Sequence, residues 1–225
     1  MIPAVRMMLF LLASVESIPA QNLPAVLARM NAAASGFRSI SADFARVTYT
    51  AVIDDTGEEA GAFKMIRPRP NEARVLIELV KPDPRLVAIG NRKAEVFNPK
   101  IMTVEEYDLG KHKSYVDQFL LLGFGTPASE LQRSYSIRYV GEEIVAGVSC
   151  SKLEMVPKSA DFLKAFRRID LWIGPSGYPV RQKFNAPSGN HSMITYTAAK
   201  LNGDLRADQL ALKLPPGVKR IFPGK

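Results

Sequence analysis

The sequence predicts a mainly β chain: a single antiparallel sheet, curled, with helices laid against it. Three observations carry that prediction. Short runs alternate apolar and polar residues with a period of two, and turn signals recur at short intervals between them. No stretch is rich enough in Pro, Gly and Ser to mark a domain boundary, and no repeat of solenoid length is visible. The expected count is about ten or eleven strands with two or three helices.

The elements follow in order. Asn22 suits an N-cap, and Leu23, Val26, Leu27 and Met30 form one apolar stripe on a short helix that ends in the run AAASG. A strand pattern opens at Ile40, Ala42 and Phe44. Later runs of the same kind are Ala73-Val75-Ile77-Leu79, Leu86 to Ile89, Tyr135-Ile137-Tyr139, Ile169-Leu171-Ile173 and Met193-Thr195-Thr197. Asp55-Thr56-Gly57, Gly90-Asn91, Gly141-Glu142, Pro175-Ser176-Gly177, Ser188-Gly189-Asn190 and Asn202-Gly203 read as the turns that separate strands. Two stretches break the rhythm. In YVDQFLLLGFG, Tyr115, Val116, Phe119, Leu120 and Leu122 follow helical spacing, with Gly123 and Gly125 as stop signals. Thr126-Pro127 then resembles an N-cap and first helical position, starting a short helix through Leu131. Residues 158–166 read as a polar and aromatic connector.

The chain starts with one positive charge, the apolar run MMLFLLASV and a small residue at Ala20, which together read as a secretory signal peptide over residues 1–20. Nine apolar residues fall short of the ~20 that a spanning helix needs. Residues 21–225 would then form one exported, periplasmic domain. Cys150, the only cysteine, lies far from the cut, so no lipidation is expected there and no disulfide can form within the chain. The net charge of +8 admits anionic partners such as a headgroup surface or an acidic protein. Export argues against nucleic acid.

The inventory for catalysis is thin. His112 sits between Lys111 and Lys113, which suits a solvated loop, and His191 opens a strand after a turn. Metal-ligand spacing, a nucleophile elbow and a phosphate loop are all missing, so neither metal nor cofactor nor enzymatic activity is expected. Glu105, Glu106 and Asp108 read as a solvated turn, since neighbours on a strand point to opposite faces. The apolar inventory is richer: Met65, Met102, Met155 and Met193 recur among Phe63, Phe97, Phe124, Trp172 and Phe184. These suit a surface that accepts varied apolar ligands, and equally a filled core. Basic residues crowd FKMIRPRP, where Arg67 and Arg69 each precede a proline; on charge alone this is a solvated hairpin.

Several stretches together resemble the LolA-type carriers, periplasmic proteins that ferry lipoproteins from the inner to the outer membrane of Gram-negative bacteria. They are LARMNAAASGFRSISADFARV, GAFKMIRP at 61–68, IGNRKAEVFNPKIMTVEEY with its Phe97-Asn98-Pro99, and LKLPPGV at 212–218, in family order across nearly all of the chain after residue 20. The resemblance implies an unclosed β-barrel whose open side is covered by helices and whose apolar interior takes acyl chains of lipoproteins or other envelope lipids. It implies an inner-membrane release complex and an outer-membrane acceptor as partners, with the carrier itself a monomer. Phe63, Met65, Phe97, Met102 and Trp172 are the expected cavity residues. The family's functional arginine, which helps hold the lid shut, maps to Arg67 when aligned from Gly61, while Arg69-Pro70 fits as well. A lipid-sensing envelope-stress regulator of the same fold is the alternative function, as is a carrier of an envelope lipid other than lipoprotein.

Overall fold

A computed structural model describes residues 23–223; the expected signal peptide lies outside them. Twelve strands form one sheet. In chain order they are β1 (Ser39–Thr50), β2 (Asp55–Arg69), β3 (Glu72–Lys81), β4 (Arg85–Gly90), β5 (Lys93–Asn98), β6 (Thr103–Asp108), β7 (Tyr135–Val145), β8 (Val148–Pro157), β9 (Arg168–Ile173), β10 (Pro179–Asn185), β11 (His191–Leu201) and β12 (Lys219–Ile221). The sheet order is β12-β6-β5-β4-β3-β2-β1-β11-β10-β9-β8-β7, so β12 and β7 are its two edges and the barrel is unclosed. All pairs are antiparallel except β12 with β6. That parallel pair arises because the segment after β11 crosses the outer face before reaching the edge.

Register sorts the side chains into two faces, because directly paired residues point the same way. Ala42, Phe63, Ile77, Val87 and Val96 form one inner row across β1 to β5. Ile194, Gln182, Leu171, Leu153 and Tyr139 continue the inner face across β11 to β7. The outer face is covered in part by the returning chain: Leu210 packs with Ile66, Leu76 and Ala88, flanked by Leu86, Leu205 and Leu212.

Helices fill the hollow unequally. The helix α1 (Leu23–Gly36) buries Val26, Leu27, Met30 and Ala34, the stripe its sequence spacing predicts. Three of these pack on Leu153, Met155, Ile169, Leu171 and Ile173, so α1 plugs the β8–β9 half. The helix α2 (Lys113–Leu120) covers the other half, α3 (Ala128–Ser134) follows it, and α4 (Ala160–Ala165) occupies the expected connector. Thr126 does not cap α3: its hydroxyl donates to the Leu121 carbonyl (3.0 Å), while Pro127 takes the N-cap position and Asn31 of α1 accepts from the Ala128 amide (3.2 Å).

Two turn assignments shift. Gly141 sits at a bulge inside β7, and the β7–β8 hairpin turns at Ala146-Gly147, both with positive φ (48° and 79°). The β1–β2 turn is Ala51–Ile53 with Asp54 left-handed, so Asp55-Thr56-Gly57 already belong to β2.

Gly61 occupies another bulge, where a Cβ would lie 1.9 Å from the Glu78 carbonyl oxygen of the neighbouring strand. Gly61→Ala is therefore expected to force β2 and β3 apart, costing about 3 kcal/mol and lowering Tm by roughly 6–12 °C. Gly57→Ala, where a Cβ meets nothing within 4 Å, is the control and should melt like the parent. Thermal melts of the two variants check this.

Candidate functional site

The half of the hollow that α1 leaves open holds a cavity of about 850 Å³. Its floor is the inner face of the sheet: Phe44, Phe63, Ile77, Leu79, Val87 and Ile89 on one side, Phe184, Ile194 and Tyr196 on the other. Its roof is the apolar stripe of α2, Tyr115, Val116, Phe119 and Leu120, with Phe162 and Phe166 of the α4 region at the flank. Phe119 stacks on Phe166 with ring centroids 5.6 Å apart and meets Phe184 at 4.7 Å. The volume is of the size that holds a small apolar ligand. The lining includes few polar groups, among them Arg46, His112, Asp161, Gln182 and Ser192.

The roof is attached to the sheet by the buried Leu121 and Leu122, by an aromatic anchor and by three polar contacts. Phe124, 1% exposed, sits among the rings of Phe37, Phe63, Tyr178 and Tyr196 at centroid distances of 5.9, 6.4, 6.4 and 5.5 Å. Gly123, with φ at 81°, lies in the turn that follows α2 and directs the chain so that Phe124 enters that cluster. Arg67 Nη1 donates to the Gly125 carbonyl (3.0 Å), and its guanidinium lies 5.7 Å from the Phe37 ring centroid. Gln182 Nε2 donates to the Leu122 carbonyl (2.8 Å) and its Oε1 accepts from the Tyr196 hydroxyl (2.9 Å). Burial pushes the Tyr196 phenol well above its ordinary range, which keeps it a donor to Gln182. Asp117 of α2 accepts from the Ala73 amide (3.2 Å) and pairs with Lys113 one turn earlier. Ala73 lies beside the irregularity between Ile66 and Arg69 in the β2–β3 register. Each of these groups would be left unsatisfied, or would need water, if the roof lifted.

No family model matches the chain, and no match is found among curated proteins. Solved structures do match. The crystal structure of MucB aligns over 84% of this chain with a TM-score of 0.51 and 16% identity; the chain spans 62% of that protein's length. An uncharacterized conserved protein from Thermus thermophilus aligns over 88% of this chain and 98% of its own, with a TM-score of 0.53 and 15% identity. A LolA superfamily protein from Nitrosomonas europaea aligns over 85% and 98%, with a TM-score of 0.39 and 14% identity. The one curved, unclosed sheet with helices in its hollow is the architecture that the sequence resemblance implied. The fold is LolA-like.

Within this LolA-like sheet the residues expected at the cavity are dispersed. Phe63 is on the cavity floor. Met65 shares its face but is fully buried beside Phe37, Ile40 and Val75, beyond the cavity wall. Phe97 and Trp172 face outward. Phe97 pairs with Leu86 and Val104, and Trp172 with Arg181 and Lys152; the Trp172 indole donates to Glu143 (2.6 Å) and packs with Val145 and Cys150. Met102 is a left-handed turn residue, 38% exposed. The roof also separates the two arginines. Arg67 reaches Gly125, while the Arg69 side chain is 81% exposed and pairs with Glu72 at 3.9 Å.

The remaining candidates lie apart from the cavity or at its rim. His112 is exposed at the rim, and His191 stacks on Tyr49 at 5.1 Å, its pKa lowered by burial and then by Lys183. Cys150 is buried under the outer face, and burial pushes its thiol pKa up. Glu106 is held by Lys93 (3.4 Å) and by Arg220 of β12 (2.8 Å). Among the described residues no group of three or more His, Cys, Asp and Glu is placed to hold a metal ion, and no helix is long and apolar enough to cross a membrane.

Proposed function

We propose that this protein binds lipid acyl chains in the cavity beneath α2 and carries them through the periplasm between the two membranes of the envelope. The observation that supports this most directly is the cavity itself: about 850 Å³, walled by aliphatic and aromatic side chains, under a roof held by few separable contacts. Each methylene moved from water into such a site contributes about 0.8 kcal/mol, so a chain of about fifteen carbons would gain roughly 12 kcal/mol. Retention of that order defeats delivery unless opening the roof opposes it. The contacts of Phe124, Arg67, Gln182 and Asp117 are made in the closed state and supply the opposing energy. Lipoproteins are the cargo we favour, with a release complex at the inner membrane and an acceptor at the outer membrane as partners of a monomeric carrier. Arg67 is the proposed latch; its bond to the roof, beside the exposed position of Arg69, supports that choice.

A fluorescent fatty-acid probe tests the reading. It should bind saturably and be displaced by a lipopeptide, and Ile77→Asp or Val87→Asp, each placing a carboxylate on the cavity floor, should weaken binding by about a hundredfold or more. A signal no greater than that of a compact control protein, or one indifferent to both substitutions, would refute it.

A further inference from the structure

One polar feature of the cavity wall has no part in holding the roof. Arg46 on β1 lines the cavity beside Phe44 and Ile194, and its directly paired neighbour on β2 is Glu59. Arg46 bonds Glu59 Oε2 through Nε and Nη2, and Arg85 of β4 donates to the other oxygen, Oε1, through Nη2 (2.8 Å). Arg85 shares the inward parity of Val87 and Ile89, both of which line the cavity. Two guanidiniums thus share one carboxylate, and the cluster keeps a net charge of +1.

The cluster is partly withdrawn from water, with side-chain exposures of 37% for Arg46, 38% for Arg85 and 17% for Glu59. Arg85 Nε is buried and has no hydrogen-bond partner among the described residues. Burial first, and repulsion from Arg85 second, lower the Arg46 pKa, so a further anion at this point would be favourable. The cavity's one lining carboxylate, Asp161, is already paired with Lys164 on its own helix (2.9 Å). The unbalanced charge along an otherwise apolar wall is therefore positive. Guanidinium groups offer planar, paired donors suited to carboxylate or phosphate.

We infer that Arg46 and Arg85, bridged by Glu59, form a subsite for the anionic head of an amphiphile, carboxylate or phosphate monoester, whose tail lies in the cavity. The inference rests on the acyl-chain reading and adds to it a headgroup class that belongs to envelope lipids other than lipoproteins. Glu59 then acts as an internal stand-in for the ligand's anion, holding the two cations together until a head competes for them.

Matched probes test this: palmitate, palmityl phosphate, palmityl alcohol and palmityl trimethylammonium, titrated into the full chain. Palmitate and palmityl phosphate should bind about tenfold or more tightly than the alcohol, and the cationic probe more weakly than all three. Arg46→Gln and Arg85→Gln should each remove most of that preference, read as the ratio of palmitate to alcohol affinity within each variant, and Arg85→Lys should retain part of it. Glu59→Gln should raise the preference, because the guanidiniums lose their internal anion. A merely structural cluster would instead lose affinity for every probe alike. Equal binding of palmitate and the alcohol, or a fall in anion preference with Glu59→Gln, would overturn the headgroup subsite alone. Failure of all four probes to bind would overturn the cavity reading and this inference with it. Inorganic phosphate is the last arm: it should not displace palmityl phosphate at matched concentration. If it does, the site takes free anions rather than headgroups.

Discussion

Phe124→Ala should release the roof of the cavity from the sheet. The side chain is 1% exposed and touches four aromatic rings drawn from α1's C-terminal end, β2, the β9–β10 turn and β11. Truncating a buried phenylalanine costs about 3–5 kcal/mol, the transfer term plus a cavity that stiff aromatic neighbours cannot close. That loss falls on a short segment otherwise held by Leu121, Leu122 and three polar contacts, so it should appear first as local opening. Amide hydrogens of residues 113–125 are expected to exchange about a hundredfold faster or more, while those of β8 and β9, packed beneath α1 around Leu153 and Ile169, keep their protection. Hydrogen exchange read by mass spectrometry separates the two regions. Uniform acceleration across both would show that Phe124 belongs to the global core and does not anchor a separable roof.

The strands are legible because each alternates with a period of two, and that period survives in a sheet whose faces meet different surroundings. The face of a given residue is harder to read, since both faces bury apolar side chains in part. Residue type alone points large, soft residues such as Phe97 and Trp172 at the cavity. Parity places them better. Phe97 shares its parity with Lys93 and Glu95, and Trp172 with Arg168 and Asp170, whereas Phe63 shares its parity with Gly61 and Met65. Charged residues on alternate positions mark the outward face, and the two misplaced aromatics sit in those outward series. The same rule finds the floor residue Ile77, whose opposite series holds Glu72, Arg74 and Glu78; Val87 and Ile89 share their parity with Arg85, so their face follows only from the pairing of Val87 with Ile77.

Other parts of the site carry no such local signal. Gln182 lies in the polar run Arg181-Gln182-Lys183, which reads as a solvated strand end, yet it is 4% exposed because β10 passes under the end of α2. Asp117 looks like the polar face of an amphipathic helix. Its burial follows from the unpaired amide of Ala73, which exists only because the β2–β3 register slips. Such residues answer to tertiary geometry, and a single sequence does not display it. The stripe of α2 is legible because it has a local pattern; Arg67 has none of its own, since Arg69 before Pro70 offers the same one, and only its hydrogen bond to Gly125 distinguishes the two.

Arg67→Leu should separate binding from release. The arginine's hydrogen bond to the Gly125 carbonyl and its position near the Phe37 ring are made with the roof closed. A charge-assisted hydrogen bond contributes roughly 1.5–3 kcal/mol, so its loss shifts the closed-to-open balance by about ten- to a hundredfold. An acyl chain that occupies the open state then binds more tightly by up to that factor, and the roof no longer helps to expel it. Affinity for the fatty-acid probe should rise while its transfer to acceptor vesicles slows. Arg67→Lys should restore release only in part, because one ammonium lacks the directed fork of donors. Gly125→Ala approaches the same contact from the other side: its Cβ would lie 3.2 Å from both Arg67 Cδ and Nη1, so it should loosen the latch in the same direction. Arg69→Leu is the internal control, since its side chain is 81% exposed and pairs with Glu72 at 3.9 Å. Stopped-flow transfer and equilibrium titration of the four variants give both quantities. If Arg67→Leu binds and delivers as the parent does, the energy that opposes retention resides in Phe124, Gln182 and Asp117, and the arginine is only a rim charge.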